Sequence, residues 1–154
     1  MSKVEQKLKE LHMQLPTPTK PVGVYLPFVK SGNLIFLSGH GPATIDGEKQ
    51  YQGKLGESLT VEEGYDAARL VGLNLLATLK TAISNLDRVN QIVKMLGMVN
   101  STPDFNQHPK VINGFSELMT NLYDDKGKHA RSAVGLVNLP FDIPVEIEMI
   151  VEIN

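Results

Sequence analysis

RSAVGLVNLPFDIPVEIE, from Arg131 to Glu148, is the stretch whose reading decides the fold. A small, apolar segment opens on an arginine, Leu139-Pro140 interrupts it, and an alternating segment comes next and runs on to Ile153. Strict alternation sends Val145, Ile147, Met149, Val151 and Ile153 to one face of a strand, and Glu146, Glu148 and Glu152 to the other. Three carboxylates opposite a wholly apolar face exclude a strand buried on both sides. The acidic face must meet water, a cation or a partner. Arginine is scarce, three against twelve lysines, and one of the three stands at the mouth of this strand pair. A guanidinium presents parallel N–H donors that match a small carboxylate. From the pattern alone, Arg131 is either such a clamp or one half of an ion pair with Glu146, Glu148 or a neighbouring subunit. Glu146 and Glu148 repel across their shared face, so a raised pKa or a partner is expected for one of them.

Working outward, Thr60-x-x-Glu63 is a capping box that opens a long helix to about residue 85. Ala67, Leu70, Val71, Leu75, Leu79, Ala82 and Ile83 form its apolar stripe. Residues 89–99 read as a strand, and a second helix runs from near Pro109 to Tyr123, where Asp124-Asp125-Lys126-Gly127 ends it. Toward the N-terminus, residues 22–30 and 33–38 predict a hairpin around Ser31-Gly32-Asn33, and Asp46-Gly47 marks a further turn. Residues 3–15 carry Val4, Leu8, Leu11 and Leu15 at helical spacing and stop at Pro16 and Pro18. The order β-β-α-β-α-β-β predicts an α+β fold, a mixed sheet with two helices packed on one face. A helical extension (1–18) precedes one domain (19–154). If the last two strands pair antiparallel across the link from Leu139 to Pro144, Arg131 and Glu146 stand about 20 Å apart at ~3.3 Å per residue. They would then share a pocket only across two subunits or a bent strand.

Composition narrows the function. A chain of 154 residues is one ordinary domain, and 42% hydrophobic with 21% charged residues is a soluble globular balance. The formal charge of −2 and the absence of any long basic run count against nucleic acid. With no cysteine there is no disulfide, thiolate metal site or thiol nucleophile. The charged N-terminus lacks the apolar core of a secretory leader, no apolar run reaches membrane-spanning length, and a cytoplasmic protein is expected. Histidines 12, 40, 108 and 129 have no metal spacing, and no phosphate-loop, dinucleotide, hydrolase-elbow or zinc-protease motif occurs, so neither metal nor cofactor is expected.

Three separated motifs resemble one family. Arg131-Ser132-x-Val134, Leu139-Pro140 and Val145-Glu146-Ile147-Glu148 are similar to the C-terminal signature of the RidA/YjgF family, the L-PSP or perchloric-acid-soluble translation inhibitors. Gly23-x-Tyr25 and Gly32-Asn33-Leu34-Ile35-Phe36-Leu37-Ser38-Gly39 resemble its N-terminal hairpin. Val111-Ile112-Asn113-Gly114-Phe115, with Glu117 shortly after, resembles the start of its second helix. The likeness spans about residues 21–153. It implies a chorismate-mutase-like fold and a homotrimer with clefts between subunits. By motif position it also implies that Arg131 binds a substrate carboxylate and that Glu146 holds the attacking water. Tyr25, Ser38, Gly39 and Asn113 would line the pocket, with the main chain of Ala133 as a further contact. The chain departs from the pattern at Ala133, where many members have Cys, and at His40, where Gln is common. His40 and His129 are each expected at the surface.

The implied reaction is hydrolytic deamination of 2-imino or enamine acids, such as 2-aminoacrylate, to 2-keto acids and ammonia. Two other classes remain open: a non-catalytic carrier or sensor of small 2-keto acids using the same arginine, and the endoribonuclease activity reported for the family. The acidic balance and the lack of aromatic-basic interleaving count against RNA. Chorismate mutase chemistry would want several cations around a dicarboxylate, and the signature offers one arginine.

Overall fold

The capping box at residue 60 fixes the longest helix. The Thr60 hydroxyl accepts from the Glu63 N–H at 3.1 Å, and the Glu63 carboxylate accepts from the Thr60 N–H at 3.0 Å, so two orphan donors of the first turn are satisfied. The computed structural model describes residues 1–43 and 51–154, and in it this helix, α2, spans Val61–Ile83. Val71, Leu75 and Leu79 on its stripe are fully buried. A second long helix, α3 (His108–Tyr123), lies against α2 and buries Val111, Ile112, Phe115 and Met119. The two backbones meet at Gly114, where a Cβ would lie 2.0 Å from the Tyr65 carbonyl oxygen. Only glycine permits that approach.

Both helices cover one face of a five-stranded sheet. Its strands are β1 (Phe28–Ser31), β2 (Leu34–His40), β3 (Val89–Asn100), β4 (Ala130–Leu136) and β5 (Val145–Ile153), in the order β1-β2-β5-β3-β4. The hairpin turns at Gly32, whose φ of 60° suits glycine. β3 and β4 are parallel because α3 carries the chain back between them, and every other pair is antiparallel. The α+β mixed sheet of the sequence reading is therefore present, with its element order. Val145, Ile147, Met149, Val151 and Ile153 face the helices and are buried, as the alternation requires.

One expectation is corrected. β4 and β5 are not neighbours, because β3 lies between them. Arg131 stands level with Met95 and Met149, whereas Glu146 stands level with Met98 and Val134. Three residues along the strands and two strand spacings across them separate the two Cα atoms by roughly 14 Å, in place of the ~20 Å of a simple hairpin. Register also puts them on opposite faces: Arg131 shares the helix face with the buried Met95, and Glu146 the bare face with Met98.

Several boundaries shift as well. The first strand begins at Phe28 rather than residue 22, since Val22 to Pro27 form bends outside the ladder. The N-terminal helix, α1, is Lys3–Glu10 and ends before residue 15. It is capped by Ser2, it buries Val4 and Leu8 in the main core, and its first N–H groups donate to the Asp87 carboxylate at 2.8 and 3.1 Å. The Lys80 ammonium bonds Glu5 and holds that carboxyl down to about 2. The Asp46-Gly47 turn lies outside the described residues. Among the described residues, no helix is long and apolar enough to cross a membrane.

The Gly114 contact yields a prediction. Gly114→Ala should destabilise the fold by at least about 2 kcal/mol, the upper range of overpacking, because backbone and not a side-chain tip must yield. Urea denaturation of the variant beside Gly72→Ala checks this. There the nearest atom is a Leu118 methyl carbon at 2.8 Å, which can move, so the loss should be smaller.

Candidate active site

The site begins at an irregularity in β2. Leu37 pairs with Met149 and His40 with Ile147, so Ser38 and Gly39 together oppose the single residue Glu148. This β-bulge bends the strand and re-aims the side chains beyond it. The Ser38 hydroxyl donates to the Leu26 carbonyl at 2.6 Å, which ties the Val22–Pro27 bends, and with them Tyr25, to the bulge. Gly39 packs against the carboxyl of Glu146: a Cβ there would lie 3.0 Å from both Cδ and Oε1. His40 is buried, only 8% exposed, with ring nitrogens 2.7 Å from the Ser38 carbonyl and 2.8 Å from the Thr78 hydroxyl of α2. The surface position expected for it is overturned, because the bulge turns residue 40 inward.

Tyr25, Ser38, Gly39 and Glu146 thus line one cleft of about 790 Å³, with Phe141 and Ile143 across from them. Its far lip is held by Asn100, which is fully buried at the end of β3. The Asn100 amide donates toward the Gly53 carbonyl, the Asp142 carboxylate and the Ile143 carbonyl at 3.2–3.3 Å, and its oxygen accepts from the Lys54 ammonium at 2.6 Å. Gly53 N–H also donates to the Asp142 carbonyl at 2.8 Å. These bonds hold the turn in which Phe141 and Asp142 take positive φ of 60° and 57°. Sequence reading missed Asn100. A lone asparagine after an apolar strand carries no signal of its own.

Arg131, Ala133 and Asn113 are elsewhere, along the edge made by β4 and α3. Arg131 and Ala133 point to the helix side of β4. The guanidinium of Arg131 donates to the Ser116 hydroxyl at 3.0 Å and toward the Pro109 carbonyl at 3.4 Å. Asn113 stands between those two positions on the same face of α3. His129 extends the chain of bonds. Its Nδ1 can only donate to the Gly127 carbonyl, 2.7 Å away, so Nε2 accepts from the Ser116 hydroxyl at 2.9 Å. Ser116 then accepts from Arg131. His129 is half-buried rather than a surface residue, and burial, with the nearby Arg131 charge as a lesser cause, lowers its pKa and keeps the ring neutral. Among the described residues no carboxylate pairs with Arg131. Its guanidinium is oriented by neutral oxygens alone.

Electrostatics single out Glu146. Burial first, and the Glu148 charge second, raise its pKa above the ordinary carboxylate value. A base so raised holds a proton more tightly than a solvated carboxylate does. Among the described residues no group of histidines and acids is placed to hold a metal. The raised pKa has a cost in stability. The folded state binds the Glu146 proton more tightly than the unfolded state, so stability falls as pH rises from the unfolded value of about 4.3 through the folded one. Glu146→Gln should therefore raise the thermal midpoint at pH 7 and leave it unchanged near pH 4. Thermal denaturation of both proteins at the two pH values checks the sign.

Comparison with known proteins agrees with this architecture. Residues 5–151 match the family model described as "YjgF/chorismate_mutase-like, putative endoribonuclease". Protein TCP17 of Trypanosoma cruzi is 39% identical over 99% of this chain and 95% of its own length. The RutC family protein PH0854 of Pyrococcus horikoshii is 32% identical over 85% of this chain and 88% of its own. The crystal structure of Atu1372, a protein of unknown function from Agrobacterium tumefaciens, is 38% identical, superposes with a TM-score of 0.92, and covers 99% of this chain and 93% of its own. Sequence motifs, strand order and these relatives agree, and the chain belongs to the YjgF/RutC family of chorismate-mutase-like proteins.

Proposed function

We propose that the chain assembles as a homotrimer and hydrolyses small 2-imino or enamine acids to 2-keto acids and ammonia, at clefts completed between adjacent subunits. One observation carries the reading. The residues that the motifs single out fall into two groups, each incomplete. Glu146 with Tyr25, Ser38 and Gly39 lies in the cleft on one side of the sheet. Arg131 with Asn113 and Ala133 lies at the β4 edge on the other face. A head-to-tail ring, in which the β4 edge of one copy meets the Glu146 cleft of the next, would unite them three times over.

The bare face of the sheet supports assembly. Phe36, Val134 and Leu136 are 41%, 39% and 37% exposed there, beside Val29 at 52%. Apolar residues spread over a whole sheet face mark an interaction surface. The unpaired guanidinium supports a carboxylate ligand, and the raised Glu146 pKa favours a proton acceptor over a passive wall.

The chemistry needs no more than these groups. Arg131 would hold the carboxylate by two parallel N–H bonds and so place the imine carbon. Water, held by Glu146, adds to the carbon of the protonated imine as Glu146 takes its proton, giving a neutral carbinolamine. Glu146 returns that proton to nitrogen, the C–N bond breaks as the carbinol hydroxyl gives its proton to Glu146, and ammonia and the keto acid leave. Two carboxylates in the cleft would repel the phosphates of RNA, which favours this reading over a nuclease.

Two experiments test it. Arg131→Ala and Glu146→Gln should each lose most keto-acid release in a coupled assay on freshly generated imines. Mixed during refolding in equal amounts, the two inactive proteins should recover roughly a quarter of wild-type activity, since one interface in four then joins an intact Arg131 to an intact Glu146. No recovery from a confirmed mixed trimer would sink the composite site, and a monomer in sedimentation would sink the assembly with it. Arg131→Lys keeps the charge but not the fork, so 2-oxobutyrate binding should weaken nearly as much as in Arg131→Ala. Normal binding by a destabilised Lys variant would make Arg131 structural instead.

A further inference from the structure

His40 is placed to do something that the motifs do not assign. Its two ring nitrogens have distinguishable jobs. The Ser38 carbonyl can only accept, so the nitrogen 2.7 Å from it, Nδ1, carries the hydrogen. With the ring neutral, Nε2 is left as an acceptor for the Thr78 hydroxyl, 2.8 Å away and 2% exposed. Burial lowers the pKa of His40, which keeps that arrangement at neutral pH. The ring is therefore a strut. One end stands on α2, and the other holds the carbonyl of the first bulge residue toward the helix face.

A peptide unit is planar, and its N–H points opposite to its C=O. Drawing the Ser38 carbonyl toward the helices turns the N–H of the same peptide, that of Gly39, toward the bare face. Gly39 is the residue in contact with the Glu146 carboxyl. We infer that His40 is a positioning residue that aims the Gly39 N–H into the Glu146 cleft, where it donates to an oxygen of a bound 2-keto or 2-imino acid. This rests on the proposed deaminase reading for the identity of the ligand. The orientation of the peptide does not depend on it. Thr78 is the footing of the strut, and the β-bulge is what allows the peptide to turn.

The two nitrogens make the test selective. In the full-length protein, His40→Asn puts an amide donor where Nδ1 stands and abandons Thr78. His40→Gln reaches toward Thr78 and cannot serve the Ser38 carbonyl in the same way. His40→Leu fills the space and serves neither. Two readouts apply to all four proteins: the amide nitrogen and proton shifts of Gly39, and affinity for 2-oxobutyrate. The expected result is that Asn keeps the wild-type Gly39 shift and binds within about threefold of wild type. Gln and Leu displace the shift and weaken binding about tenfold, the worth of one charge-assisted hydrogen bond. A purely structural tie to α2 predicts the reverse order, with Gln near wild type and Asn impaired, and that order overturns the inference. So does a Gly39 shift that is the same in all four. If the wild type binds no keto acid and turns over no imine, the deaminase reading fails alone, and the Gly39 shifts still decide whether His40 sets the peptide.

Discussion

The parallel pairing of β3 with β4 is the constraint on which the arrangement depends. A parallel neighbour cannot be reached through a tight turn, so α3 must cross over between the two strands. That crossover leaves β4 at the sheet edge, covered on one face by α3, and sends the chain past β3 to insert β5 beyond it. The residues of one short signature, Arg131 to Glu148, are thereby split across an intervening strand and across the two faces of the sheet. Close packing on the helix side enforces the split. Gly97 of β3 gives Ile112 of α3 room that a Cβ would take, with contacts of 2.7–2.9 Å. Within one chain Arg131 and Glu146 therefore stay apart.

Polar side chains at three points, buried at His40 and Asn100 and half-buried at Ser116 and His129, hold the sheet edges to that frame. His40 ties the β2 bulge to α2, Asn100 ties the end of β3 to the turn before β5, and Ser116 with His129 ties α3 to the guanidinium of Arg131. Each side chain is itself neutral, although Asn100 also bonds Lys54 and Asp142, and Ser116 bonds Arg131, and burying a neutral group asks for less desolvation than burying a charge pair. Among the described residues, Arg131 has no carboxylate partner and Glu146 no cation, which leaves a positive charge at one edge and a raised carboxylate in the cleft. Exposed ion pairs lie elsewhere, among them Lys128–Asp125, Arg69–Asp66 and Lys7–Asp124, where solvent screening leaves them little to contribute.

How much of this was legible in the sequence depends on the range of each interaction. Helices and strands are set by local spacing and capping, so α2, α3 and the alternating β5 could be read directly, and Thr60-x-x-Glu63 marked a helix start to the residue. Strand order is not local. The pattern of β4 and β5 is compatible with a hairpin, and only the packing of α3 decides that β3 intervenes. The bulge was invisible for the same reason. An extra residue in β2 exists only relative to its partner strand, and without it His40 reads as a surface position. Tyr25, Ser38, Gly39 and Glu146, which the motifs grouped, line one cleft. Arg131, Asn113 and Ala133 were grouped with them by the same motifs, and one chain does not make that union. Ser116 and Asn100 gave no signal, because a serine in a helix and an asparagine at a strand end become informative only with their partners in view.

Burial and charge pull against each other at Glu146. A carboxylate moved part-way out of water, beside a second negative charge, weakens the fold at neutral pH, and a glutamine there would satisfy the same space without the charge. The apolar side of β5 makes the position tolerable: Val145 and Ile147, its neighbours in sequence, are fully buried against the helices and pin the strand from behind. Gly39 leaves the carboxyl room, the charge acting on it is the repulsive one of Glu148, and among the described residues no salt bridge lowers its pKa. Alternation around Glu146 thus serves two ends at once. One face secures the strand, and the security of that face lets the other keep a half-buried carboxylate whose pKa is raised.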